Sequence, residues 1–428
     1  MTRMVTSLSA LLLSIILLVG GNASLMTLLG IRLSIESVPP NIIGWVLVCY
    51  SVGFVLGTLY VHHIIERVGH IRAFAVFAAF AAVTSLLYPM AVSMVFWAFL
   101  RVLSGFSMAG VLVVIESWFS SRASNSNRGA LFAVYQIVFY LSAAGGQLVV
   151  NLGDPVSFMP FSLAAILLTL ALVPLSLTRM EAPLIEQVQR ISIFTLARES
   201  FTGVSGALIC GVLIGSFYAL GPVYATLVGL DVAGTSTFMA SAIVAAMLMA
   251  WPLGRLCDRF DRRRVMFWVA FFASLTAIAV SFTGAANPQL LMLLVGVFTG
   301  LSAMVYPISV AITNDRMEST RIVAASATLL LSYGVGSVIG PIVMAELIGL
   351  MGPRGLFMGS AGFLLVLAVV TSLRITYTDD VAVEDQEHYV PAMPETSAVL
   401  TELDPRNTEF HESTVATEMD EEFRSQAS

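Results

Sequence analysis

Lysine is absent: all 21 basic residues of this 428-residue chain are arginine, and charged residues of both signs together make up only 11%. A soluble domain keeps a mixed exterior, so 57% hydrophobic residues with so little charge exclude an ordinary water-facing fold. Cysteine is scarce as well. Cys49, Cys210 and Cys257 stand far apart without a CxxC or zinc spacing, which argues against both a disulfide framework and a metal centre. Also missing are a GxxxxGK[ST] phosphate loop, a soluble nucleotide domain and a nucleophile–His–acid set. Direct ATP use and covalent catalysis are therefore not expected, and neither is a cofactor or a nucleic-acid partner.

What the chain has instead is long apolar runs. Crossing a bilayer takes roughly 20 apolar residues as a helix, and such runs lie near 7–30, 43–61, 73–93, 95–117, 129–150, 160–178, 201–223, 235–253, 265–284, 289–312, 322–348 and 355–373. No alternating strand pattern suggests a barrel, so an all-α membrane protein is expected. The start, "MTRMVTSLSALLLSIILLVGGNAS", resembles a secretory signal, but its apolar run continues through "LMTLLGI" into a full span.

Sorting the arginines over these spans gives a lopsided count. Sixteen fall at the N-terminus and in alternate bridges, and only Arg32 and Arg354 in the opposite bridges; Arg101 lies inside the fourth span. By the positive-inside bias the arginine-rich bridges face the cytoplasm, and an even number of spans returns both termini there. Residues 375–428 hold 14 acids against Arg406 and Arg424, a composition that predicts a disordered tail. The tail is either plainly solvated or an electrostatic brake against the arginine-rich face.

The bridges also repeat. A shift of 192 superposes Glu66, Arg67 and Arg72 on Asp258, Arg259 and Arg264, and a shift of 193 superposes Arg128 and Tyr140 on Arg321 and Tyr333. Two six-helix halves in parallel repeat, 1–180 and 200–374, joined by a linker at 181–199, follow from this agreement, with the tail at 375–428. Here the chain resembles the major facilitator superfamily of secondary transporters. The family's inner-bridge motif, G-x-L-x-D-R-x-G-R-R, is met by Gly254, Leu256, Asp258, Arg259, Arg262 and Arg263, with Asp261 replacing its second glycine. The first-half copy keeps Glu66, Arg67 and Gly69 but has His62 and His70 where the motif has glycine and arginine. Arg101 and Gly105 meet the family's Arg-x-x-x-Gly, whereas "YLSAAGGQLVV" lacks the proline of the antiporter signature.

The resemblance implies two bundles, each with inverted three-helix repeats, rocking about a central site. It places Asp258 at the amide end of the fifth span and Glu66 at that of the eleventh, as latches between the halves, with Arg262 pairing Asp315 and His70 pairing Glu116. The same charges also read as topology signals alone. If His70 pairs Glu116, gating acquires a titratable member near neutrality. For the substrate, Arg101 is the expensive intramembrane charge, available to an anionic group, to proton coupling or to structural pairing. Further cavity candidates are Asn22 on the first span, a polar stripe of Gln136, Tyr140 and Gln147 on the fifth, and Tyr218, Tyr224, Tyr306 and Tyr333 in the second half.

The expectation is a monomeric transporter of a small molecule in the bacterial inner membrane, an anion if Arg101 binds it, coupled by family default to protons. A ligand sensor of transporter ancestry, signalling through the acidic tail, is the alternative.

Overall fold

The computed structural model describes residues 2–121, 127–177, 191–318 and 321–377, and beyond them 381, 382, 384, 386, 389, 392–394 and 396. Among the described residues the long elements are all α-helices, because a helix pairs its own backbone groups where lipid offers no partners. They are α1 (Thr2–Ile35), α2 (Pro40–Val68), α3 (His70–Leu87), α4 (Met94–Ser120), α5 (Arg128–Val149), α6 (Met159–Leu170), α7 (Leu172–Leu177), α8 (Ile193–Glu199), α9 (Phe201–Leu227), α10 (Val232–Arg259), α11 (Arg262–Phe282), α12 (Pro288–Asn314), α13 (Ile322–Met351) and α14 (Arg354–Tyr377). Twelve stretches among them are long and apolar enough to cross a bilayer, with α6 and α7 forming one crossing. Most of the linker lies outside the described residues; its end forms α8.

The helices outrun the hydrocarbon core. The 30 residues of α13 rise about 45 Å, against a core of about 30 Å. Gly254–Arg259 are accordingly the last turns of α10 and not a loop, which corrects the bridge expected there. The connection shrinks to Phe260 and Asp261. Asp261 caps α11 by accepting the backbone N–H of Arg263 at 2.7 Å and of Arg264 at 3.2 Å, which explains an acid where the family has glycine. In the first half Gly69 turns the chain between α2 and α3 with φ of 84°, a conformation that favours glycine.

The first six crossings pack chiefly on one another, α1 on α5 and α6, α2 on α4, and α3 on α4 and α6. The last six do the same, α9 on α12 and α13, α10 on α12, and α11 on α12 and α14. The repeat recurs in this packing. A Cβ on Gly146 of α5 would lie 2.3 Å from the Gly20 carbonyl of α1, and one on Gly340 of α13 would lie 2.4 Å from the Val212 carbonyl of α9. Between the halves α2 meets α13, α5 meets α10 and α1 meets α9.

Candidate functional site

The halves meet tightly at the arginine-poor end. A Cβ on Gly44 of α2 would lie 2.3 Å from that of Ala345 on α13, and Ser236 Oγ of α10 donates to Asn151 Oδ1 beyond α5 at 3.0 Å. Farther in, the helices diverge around a cavity of about 160 Å³. That is roughly ten times the room one water needs. Its polar wall is Asn22, Thr27, Tyr50, Ser51, Gln147, Tyr218, Tyr333 and Ser337, and the remainder is apolar, Met26, Phe54, Phe139 and Ile243 among them. No described lining residue is charged. Toward the arginine-rich end the wall is completed by Pro394, from beyond α14.

Of the sequence candidates, Asn22, Gln147, Tyr218 and Tyr333 reach this wall. Asn22 Nδ2 donates to the Tyr50 hydroxyl at 3.2 Å, and Gln147 Oε1 accepts from Thr27 Oγ1 at 2.5 Å, so both polar ends are already oriented. Tyr306 stands one layer behind, its ring edge-on to Tyr333 at 5.6 Å. Gln136 and Tyr140 are buried but outside the lining, with Tyr140 packed edge-on to Phe139. The α5 stripe therefore contributes one cavity residue and not three. Tyr224 is also corrected: its hydroxyl donates toward the carbonyls of Val280 and Thr283, and its ring meets Phe357. It braces the arginine-poor end of the second half. Sequence reasoning missed Tyr50, Thr27 and Ser337, since one uncharged polar residue in a span sends no signal.

Arg101 does not line the cavity. It is 1% exposed, its Nη2 meets Met26 Sδ, and its guanidinium lies 4.5 Å above the Tyr50 ring. Nε and Nη1 have no hydrogen-bond partner. Gly105, one turn on, accounts for this stacking: a Cβ there would sit 2.1 Å from the Tyr50 carbonyl, so only glycine lets α2 press so close to α4. The cation–π contact supplies part of what lost hydration removes.

At the arginine-rich end Arg262 pairs with Asp315 as expected, both side chains nearly dry, and Arg262 also donates toward the Ala311 carbonyl. Arg263 donates to the Arg374 carbonyl at 3.2 Å, tying α11 to α14. The His70–Glu116 pair is not formed. His70 packs on the Trp118 indole with Nε2 unpartnered, while Glu116, fully buried, accepts the Tyr135 hydroxyl at 2.5 Å. A helix start turns His70 toward α4, and α5 supplies the phenol that reaches the acid first. Glu66, Arg67, Asp258 and Arg259 are exposed. Asp258 Oδ1 accepts the Tyr389 backbone N–H at 2.8 Å, and Arg321 pairs with Glu199 at 3.3 Å. The Arg128 side chain, at the start of α5, lies outside the described residues. Among the described residues no group of three or more His, Cys, Asp or Glu could hold a metal ion.

Twelve crossings in two similar halves around a central cavity match what a sequence profile finds. The profile of the Major Facilitator Superfamily matches residues 11–251 and again 205–402. The chain belongs to this superfamily. An uncharacterized MFS-type transporter, YcaD of Salmonella typhi, is 31% identical over 369 residues, covering 85% of this chain and 95% of that protein. Its counterpart in Salmonella newport (strain SL254) is 32% identical over 341 residues, 79% and 87% of the two chains. Among solved structures, the nucleoside transporter NupG aligns with a TM-score of 0.72 at 16% identity, over 88% of this chain and 100% of that one. A bacterial homolog of the human lysosomal transporter Spinster, inward-facing and occupied, gives 0.72 at 12%, over 89% and 97%. At such identities these two speak for the fold. The superfamily member is a multi-pass membrane transporter.

Proposed function

We propose that this member is a secondary active transporter that carries a small, uncharged, largely apolar solute by alternating access, driven by protons. The observation that carries the reading is the cavity itself: it lies between the halves, is shut at the arginine-poor end and has no charged group on its described wall. An anionic solute, the class Arg101 suggested, meets no cation there; Arg101 instead stiffens Tyr50 from behind. The arginine-rich end faces the cytoplasm, so this conformation is inward-facing. A single chain supplies both halves of the site and needs no second copy.

In the outward-facing state Asp258 and Glu66 close on the amide ends of α5 and α13. Each contact contributes about 0.3–1 kcal/mol or somewhat more when partly buried, weak enough to break in every cycle. Glu116 is the coupling carboxyl, a buried acid where α4 meets α5 that accepts the Tyr135 hydroxyl. The test is reconstitution in liposomes with a pH-sensitive dye inside, screened against neutral amphiphiles. One of them should move protons with it, and Glu116→Gln should leave solute exchange intact while abolishing proton movement. Solute flux indifferent to a pH gradient would remove the coupling, and absence of flux for every neutral solute with flux for an anion would remove the substrate class.

A further inference from the structure

Beyond α14 the chain turns back toward its own mouth. Tyr389 follows Tyr377 by twelve residues, a reach of up to about 40 Å when extended. The Tyr389 N–H donates to Asp258 Oδ1 at 2.8 Å, and its ring lies against Gly254, where a Cβ would stand 3.0 Å from two ring carbons. Tyr389 and Ala392 pack on the core that holds most of the second half. Met393, 4% exposed, packs in the core of the first half together with Ile243 and Ala246 of α10. Pro394 lines the central cavity, and Thr396, also 4% exposed, donates to the Met393 carbonyl at 2.8 Å. For Tyr389, Met393, Pro394 and Thr396 a solvated tail does not hold; residues 397–428 lie outside the described residues.

A patch of Tyr, Ala, Met and Pro inside a tail of net charge −12 is out of keeping with its surroundings. Acid-rich chain stays in water, while apolar side chains seek a dry wall. The wall they find is the inward-facing mouth. We propose that Tyr389, Ala392, Met393, Pro394 and Thr396 belong to an autoinhibitory plug, seated between the halves through Tyr389, Met393 and Pro394. It acts in two ways. The plug fills the path by which a solute reaches the cavity from the arginine-rich side, and it occupies the Asp258 carboxylate with a charge-assisted hydrogen bond. An Asp258 held by Tyr389 is not available to the amide end of α5, so the plugged protein stays inward-facing.

The test reads access to the cavity and needs no knowledge of the solute. Ser337→Cys places a thiol on the cavity wall, and inside-out vesicles are exposed to a membrane-impermeant maleimide, with labelling of the unsubstituted chain as background. Ending the chain at Thr378, or combining Tyr389→Ser, Met393→Ser and Pro394→Gly in the full chain, should speed labelling. If nine-tenths of the molecules are plugged, the gain is about tenfold. A synthetic peptide of residues 381–396 should slow labelling of the shortened chain again, and a scrambled peptide should not. Equal rates for full and shortened chains, no protection by the native peptide, or equal protection by the scrambled one would each overturn the plug.

Discussion

Arg262 and Asp315 form a charge pair between α11 and α12, with side chains only 2% and 4% exposed. Breaking a buried pair by removing one partner typically costs about 3–5 kcal/mol, because the other charge is stranded. Arg262→Met should therefore lower the melting temperature of the purified protein markedly, and Arg262→Met with Asp315→Leu should restore most of it. A single variant as stable as the parent would show that the pair carries no such charge. His70 makes the opposite case. Its buried Nε2 has no partner, and burying an unmade donor or acceptor costs about 1–3 kcal/mol. His70→Phe should leave the melting temperature unchanged or raise it, and a clear drop would mean that the imidazole bonds a partner after all. The motif pattern foretold the first contact because the spacing of Arg262 follows from one helix end. It failed at His70 because the competing Tyr135 comes from a helix sixty-five residues away in sequence, and no local pattern records that.

At the scale of helices, the arginine count and the apolar runs located the crossings, while their ends followed from caps. Asp261 and Gly69 decide where α10 gives way to α11 and α2 to α3, and both positions were visible in the motif. Cavity membership was harder to read. Tyr50 belongs to the wall because Gly105 admits α2 against α4, a contact between spans that no single helix announces. The seal at the arginine-poor end is likewise an inter-helix fact, and it is testable. Asn151→Cys with Ser236→Cys should form a disulfide under mild oxidant, since the native side chains already touch at 3.0 Å. The bridge should stop transport by holding the arginine-poor end shut, and reductant should restore it. Full transport by the cross-linked protein would mean that this end does not open.

For the molecule as a whole, the two halves are alike in sequence offset and in the glycine contacts that set α1 on α5 and α9 on α13. On the proposed reading the halves pivot against each other, with the seal at one end and the latches at the other taking turns. The most direct measurement uses pulsed electron resonance on spin labels in lipid nanodiscs, with Ile42 and Leu350 as the outer pair and His63 and Arg264 as the inner pair. Gly44→Trp wedges the outer seal, because even a methyl there would lie 2.3 Å from Ala345. If the halves rock as rigid bodies, this single substitution in the chain ending at Thr378 lengthens the outer distance and shortens the inner one together. An outer distance that grows while the inner one stays fixed would contradict it.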